Sequence, residues 1–254
     1  MLDLDLTGKT VLITGATGDL GRVIARTLAD CGAAVALHYH RNEAKARAIQ
    51  SEIESKGRRA TVAQADIGDN SSVRAMGKAI SETFGPPQIV VANAVTQYAW
   101  KSVLDQPVED YESQFRSCVL QSVNLAQTFL PAMIDAKWGR FIAINTECVL
   151  QCHPSQSAYV SGKRGMDGVL RVLAREAGPA GVTVNQVAPG WMISERDRAG
   201  GSESQPAYEQ GIPLRHRGED IEIARAVAFL ASDQAGFITG AFLPVCGGNA
   251  MTAI

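Results

Sequence analysis

The sequence predicts an α/β fold in which one doubly wound parallel sheet of about seven strands is covered by helices on both faces. Short β-branched runs alternate with longer segments of helical spacing along the chain. The runs are nearly continuous in apolar residues, as in strands buried on both faces. No Pro/Ser-rich linker, charge block, repeat or low-complexity segment divides the 254 residues, and 46% of them are hydrophobic, enough for one large core. A single domain over 1–254 is therefore expected, although about 150 residues per domain would suggest nearly two.

Residues 9–14 (KTVLIT) read as the first strand, and 22–31 follow with Val23, Ile24 and Leu28 at helical spacing. Residues 33–39 form the second strand, and 42–56 a polar-faced helix opening on Asn42, a favourable N-cap. Further strands are expected at 60–66, 88–93, 139–146, 182–187 and 241–246, with helices near 70–84, 108–135, 157–177 and 219–231. The polar, Gly- and Ser-containing stretch 192–211 is long enough for a mobile substrate lid. A doubly wound sheet binds its ligand at the carboxyl ends of the strands, so residues just after strands are the candidates for function.

The net charge of -2 gives no electrostatic case for nucleic-acid binding. No run of about 20 apolar residues suits a bilayer, so no membrane partner is expected. The start, Met1 to Leu6, alternates Leu and Asp rather than showing the basic stretch of a targeting peptide. Five cysteines, an odd number spread thinly, suit a reducing compartment, and a cytoplasmic protein is expected. Cys148 to His153 is one residue too long for haem attachment and lacks a second pair for zinc, so no metal site is expected.

Between the first strand and first helix lies Thr14-Gly15-Ala16-Thr17-Gly18-Asp19-Leu20-Gly21. Glycines here allow a sharp turn and bring an anion close to the unpaired N–H groups of a helix N-terminus. Gly15, Thr17, Gly18, Asp19, Leu20 and Gly21 thus predict a dinucleotide pyrophosphate site, the Rossmann-type arrangement. Asp19 would repel a pyrophosphate unless it points outward or caps a helix N–H. The cofactor's 2′ position is read at the end of the second strand, where Tyr39, His40 and Arg41 stand and no carboxylate does. Arg41, helped by His40 or Asn42, suits a 2′-phosphate, so NADP(H) is favoured and NAD(H) is the alternative.

Tyr159-Val160-Ser161-Gly162-Lys163, Ala92-Asn93-Ala94, Pro189-Gly190, Ile212-Pro213-Leu214, Ile238-Thr239-Gly240 and Gly247-Gly248 occur in series behind that turn. Together they resemble the short-chain dehydrogenase/reductase family, especially its 3-oxoacyl-carrier-protein-reductase-like members, from Gly8 to about Met251. The resemblance implies a YxxxK pair at Tyr159 and Lys163. It also implies cofactor contacts at Asp66 with Ile67 beside the adenine, at Asn93 and Ala94, and at Pro189 and Gly190. A homotetramer or homodimer is implied too, joined through the helices near 108–135 and 157–177 and the C-terminal strand. The chemistry is coherent: a tyrosine is a slow acid-base catalyst at neutral pH, and a lysine one helical turn on would lower its pKa. The resemblance further implies that Lys163 hydrogen-bonds the nicotinamide ribose.

The sequence departs from the family pattern around this site. Thr146 stands where a serine is usual and retains a hydroxyl for the substrate oxygen. Cys118 replaces an asparagine that supports the lysine, Val95 the glycine after Asn93 and Ala94, Asp19 a glycine of the turn, and Cys246 an aspartate near the C-terminus. Val95, Glu147, His153 and Trp191 are candidate substrate contacts. Glu147 and His153 are alternatively plain polar lining, and Trp191 alternatively packs beneath the lid. The expected activity is an NAD(P)(H)-dependent carbonyl reductase or alcohol dehydrogenase on a small carbonyl/hydroxyl substrate of 3-oxoacyl type, with Thr146, Tyr159 and Lys163 catalytic. The alternative is a non-catalytic nucleotide-binding member of the same fold, acting as sensor or assembly partner.

Overall fold

The computed structural model describes residues 4–252, so Met1 to Asp3 of the acidic start and the last two positions lie outside the described residues. The strands are β1 (Thr10–Ile13), β2 (Ala34–Tyr39), β3 (Ala60–Gln64), β4 (Ile89–Ala92), β5 (Gly139–Ile144), β6 (Val182–Pro189) and β7 (Phe242–Val245). They pair in the order β3-β2-β1-β4-β5-β6-β7, every pair parallel. Val11 pairs with Val35 on one side and Ile89 on the other, so strand order reverses at β1 and opens a crevice at the carboxyl ends of β1 and β4.

Two-residue alternation sorts each buried strand between two cores. Val11 and Ile13 of β1 face the core built from α1 (Asp19–Asp30), α2 (Glu43–Ser55) and α10 (Asp220–Ala231), through Ile24, Leu28, Ile53 and Val227. Leu12, Val90 and Phe141 face the other core, built from α3 (Asn70–Phe84), α5 (Gln121–Asp135) and α7 (Ser157–Ala177), through Met76, Leu125 and Met166. The expected sheet covered on both faces is therefore present.

Three local features differ from the sequence reading. Helix α1 begins at Asp19, directly out of the glycine turn. The stretch 108–135 divides into α4 (Val108–Gln114), a π-helical segment Phe115–Leu120, and α5. Helix α7 crosses this division at close range, since a methyl on Gly162 would lie 3.0 Å from the Gln114 carbonyl oxygen and one on Gly165 2.8 Å from Val119. The lid stretch holds two short helices, α8 (Glu195–Gly200) and α9 (Pro206–Glu209), where an irregular segment was expected. A reciprocal capping box between Ser194 and Asp197 starts the first, and Pro206 stands at the first turn of the second. Helix α6 (Cys148–Gln151) completes the set. Among the described residues no helix is long and apolar enough to cross a membrane.

Candidate active site

The turn after β1 is built from backbone groups that neighbouring strands hold in place. Gly15 takes φ +62° and lies so near Ala94 that an added methyl would sit 2.9 Å from the Ala94 Cα. His38, buried in β2, accepts the Gly15 N–H on Nδ1 at 3.0 Å, while Nε2 reaches the Ala65 carbonyl at 3.1 Å. Burial drives its pKa down to about 4, so the ring is neutral and the Gly15 bond requires the Nε2–H tautomer. From β4, the Asn93 side chain donates to the Thr14 and Gly15 carbonyls at 2.9 and 3.2 Å. The Thr14 hydroxyl accepts the N–H groups of Asn93 and Ala94 and donates to Gln121 Oε1 at 2.6 Å. The turn is thereby fastened to β4 and α5.

This cradle suits a pyrophosphate. Gly18 is the N-cap of α1 and makes no side-chain cap, so the N–H groups of the first turn, near Leu20 and Gly21, are left for an anion. A methyl on Gly21 would meet the Gly15 carbonyl oxygen at 2.3 Å and Asn93 Nδ2 at 2.8 Å. Gly21→Ala is accordingly expected to cost about 1–3 kcal/mol of stability, the usual range for overpacking. It should also weaken dinucleotide binding, and denaturant unfolding with a cofactor titration checks both. Asp19 is resolved by its partners: Arg22 lies 2.8 Å from its carboxylate and Arg196 of α8 lies 3.7 Å away. Arg22 and Arg26 also reach Glu195 of α8, so ion pairs tie α8 to α1.

At the end of β2, Tyr39 is buried while His40 and Arg41 are exposed, and Arg41 has no ion pair among the described residues. Asn42 turns instead to cap α2, accepting the Lys45 N–H at 3.0 Å. Beyond β3, the Asp66 carboxylate accepts the Gly68 N–H at 2.8 Å, and Asn124 donates to the Ile67 carbonyl at 3.0 Å. Pro189 ends β6, and Gly190 donates to the Val245 carbonyl at 3.1 Å.

Thr146, Tyr159 and Lys163 come together beyond β5. Lys163 is 2% exposed and donates from Nζ to the Ile144 carbonyl at 2.5 Å. Its ammonium lies 5.9 Å from the Tyr159 ring centre. Burial pushes the Tyr159 phenol above the ordinary range; the Cys148 thiol adds to the rise and the Thr146 hydroxyl opposes it. The expected lowering by Lys163 does not govern here, because desolvation outweighs a charge held on a backbone carbonyl. Burial lowers the Lys163 pKa as well, partly offset by Cys118. Cys118 is buried in the π-helical segment, and its carbonyl accepts the Ser122 hydroxyl at 2.9 Å. Asn145 anchors the strand end by donating to Gln186 at 2.7 Å, while its oxygen accepts the Thr146 N–H at 2.9 Å.

The candidate substrate residues separate in space. Val95 packs against the α5 and α7 core. His153 is exposed. Glu147 is buried, with both oxygens taken by Tyr208 and Asn249, so it is not the free polar contact that its position after a strand suggested. Trp191 is 51% exposed; its ring packs edge-on against Tyr208 with centres 5.5 Å apart, and the Arg217 guanidinium lies 4.8 Å from it.

Several residues here escaped the sequence reading. Trp100 stacks on Tyr159 at 6.1 Å, and the Tyr98 hydroxyl accepts the Tyr159 N–H at 2.6 Å. Their signal was available, as aromatics on the segment after the fourth strand. Buried Arg217 ties the 191–203 stretch together by donating to the carbonyls of Trp191, Met192, Ser202 and Glu203 at 2.8–3.1 Å. Nothing local in the sequence marks it. Cys246 holds the C-terminal turn by accepting the Ala250 N–H on sulfur at 3.3 Å.

Known proteins share this fold. The family model described as Enoyl-(Acyl carrier protein) reductase matches residues 15–250. A 3-oxoacyl-(acyl-carrier-protein) reductase of Staphylococcus epidermidis is 33% identical over 253 residues, spanning 96% of this chain and 99% of that one. A gluconate 5-dehydrogenase from Burkholderia cenocepacia, solved with NADP and tartrate, superposes with a TM-score of 0.89 at 27% identity, covering 97% of each chain. A blue fluorescent protein from a metagenomic library, solved with NADPH, gives 0.88 at 33% identity, covering 97% of this chain and 100% of its own.

Proposed function

Because the chain belongs to the short-chain dehydrogenase/reductase family and is an NAD(P)-dependent oxidoreductase, we propose that it reduces the carbonyl of a 3-oxoacyl-type substrate with NADPH. The observation that carries this reading is the meeting of Thr146, Tyr159 and Lys163 at the same carboxyl edge of the sheet as an uncapped α1 N-terminus. The relatives named as 3-oxoacyl reductases and the neighbours solved with NADP and NADPH support it.

In this proposal NADPH, when bound, supplies the hydride. The turn from Gly15 to Gly21 and the first amides of α1 receive the pyrophosphate. Arg41, with Tyr39 and His40 beside it, takes the 2′-phosphate, and Asp66 with Ile67 borders the adenine. Asn93, Ala94, Pro189 and Gly190 border the rest of the cofactor, and Lys163 leaves the Ile144 carbonyl to hold its ribose. Thr146 orients the substrate oxygen through its hydroxyl. Tyr159 gives its phenolic proton to the developing alkoxide. The non-catalytic alternative is not favoured. Asp19, the departure that most threatened cofactor binding, has its charge offset by Arg22 and Arg196.

Mixed with NADPH and an acetoacetyl thioester, the protein is expected to form the 3-hydroxyacyl thioester in step with NADPH consumption; no product would reject the reading. Arg41→Ala should raise the KM for NADPH about 10- to 100-fold, the loss of one or two bonds to a charged group. The KM for NADH should hardly change. Equal effects on both cofactors would remove Arg41 from the 2′-phosphate.

The proposal extends to assembly and location. A dimer or tetramer joined through the α4–α5 and α7 faces is supported by half-exposed Phe115 and Val172 on those helices. A cytoplasmic setting is supported by five cysteines, an odd number spread thinly along the chain.

A further inference from the structure

The residue after Thr146 carries a carboxylate that the reaction above does not use. Glu147 is 4% exposed, and burial raises its carboxyl above the usual range. The Tyr208 hydroxyl donates to Oε1 at 2.6 Å, and the Asn249 amide donates to Oε2 at 3.1 Å. The same hydroxyl accepts the Trp191 N–H at 2.8 Å. The Glu147 N–H reaches the Pro189 carbonyl at 3.0 Å, and Gln151 donates to the Asn249 carbonyl at 3.3 Å. One side chain therefore joins the end of β5, the turn after β6, helix α9 of the lid and the C-terminal turn.

A buried carboxylate is costly unless its hydrogen bonds are met, and here both oxygens are served by groups from elements far apart in the chain. The strand end is fixed by Asn145 on one side of Thr146, and the lid wall hangs from Glu147 on the other. Trp191 and Tyr208 line a cavity of about 430 Å³ together with Ile212, Leu214 and Met251. Space beside that wall is tight, because a methyl on Gly190 would lie 2.8 Å from the Tyr208 hydroxyl. Moving the hydroxyl therefore moves the wall.

We propose that Glu147 is a positioning residue: through Tyr208 and Asn249 it fixes the Trp191–Tyr208 wall against the Thr146 hydroxyl, and so governs how the substrate seats. This inference rests on the reductase reading for its kinetic consequence and on geometry alone for the link itself. Tyr208→Phe removes the shared hydroxyl, and Glu147→Ala removes the acceptor. Glu147→Gln keeps an acceptor for Tyr208, and Asn249 can rotate to present its carbonyl to the new amide.

The three variants and the double variant Glu147→Ala/Tyr208→Phe are assayed with NADPH and an acetoacetyl thioester, and their backbone amides over 190–212 are followed by hydrogen exchange. Glu147→Ala and Tyr208→Phe should each raise the KM for the thioester about tenfold, with kcat changed far less, as the loss of one charge-assisted bond implies. The double variant should be no worse than Glu147→Ala, because Glu147→Ala already removes the link to Tyr208. Glu147→Gln should recover most of the loss. Amides over 190–212 should exchange faster in the two impaired variants, with NADPH affinity kept. If Glu147→Gln fails as badly as Glu147→Ala while Tyr208→Phe behaves as the native protein, the carboxylate meets the substrate directly and the proposal is overturned. Exchange needs no turnover, so faster exchange in a protein that reduces no thioester rejects the reductase reading and upholds the link. Unchanged exchange rejects the link whatever the turnover.

Discussion

Tyr159→Phe is expected to lower kcat for NADPH-dependent carbonyl reduction by about 10²- to 10⁴-fold, the contribution of a positioned general acid. The substitution deletes one hydroxyl and leaves the ring. Stacking with Trp100 at 6.1 Å is a property of the ring, and the bond from the Tyr159 N–H to Tyr98 is a property of the backbone. Neither is lost, so the fold around the site should persist. The glycine turn and Arg41 lie on other strands, so the Kd for NADPH should stay nearly constant. Steady-state kinetics with a fluorescence titration of NADPH tests both halves. Turnover close to native in this variant would remove Tyr159 from the chemistry, and a large loss of cofactor affinity would make its role structural.

Acid should destabilise the protein through His38. Burial holds its pKa at about 4 in the folded chain, against 6.5 for the ordinary imidazole. Between these values the unfolded chain binds the extra proton and the folded chain does not, so stability rises with pH across the window. The contribution is fully present above about pH 6.5 and is lost as the pH falls toward 4. Integrated over the shift it amounts to roughly 3 kcal/mol, of which about 2 kcal/mol falls between pH 7 and pH 5. Protonation also strikes function, because Nδ1 is the acceptor that holds the Gly15 N–H under the phosphate turn. NADPH affinity should therefore weaken in the same acid range. Urea unfolding of the native chain and His38→Asn at several pH values isolates the effect from other titrating groups. A variant with the same pH slope as the native chain would show that His38 is not its source.

Much of the architecture is legible in the sequence because it depends on local regularities. Strand burial on both faces shows as unbroken apolar runs, and the parallel sheet follows from their alternation with helices. The turn at Gly15, Gly18 and Gly21 is legible because only glycine permits such backbone approach, and the clearances at Gly15 and Gly21 bear this out. Tyr159 and Lys163 share a helical face because they stand four residues apart.

What could not be read are partners that the crossovers bring together. Glu147 meets Tyr208 across 61 residues and Asn249 across 102, and no spacing rule extends that far. The neutralisation of Asp19 needs an arginine from α8, and His38 becomes a support for Gly15 only when β2 lies beside β1. The lowered tyrosine pKa was the sharpest miss. Helical spacing brings Lys163 near Tyr159, but the direction of its ammonium and the dryness of the cleft are set by packing. The sequence by itself determined the doubly wound sheet and the phosphate turn, which rest on periodicity and backbone sterics, and its family resemblance pointed to Thr146, Tyr159 and Lys163. Only the tertiary structure decided which charges are compensated, which polar groups are buried and how the 192–211 stretch is held. Those depend on desolvation and on contacts between segments far apart in the chain.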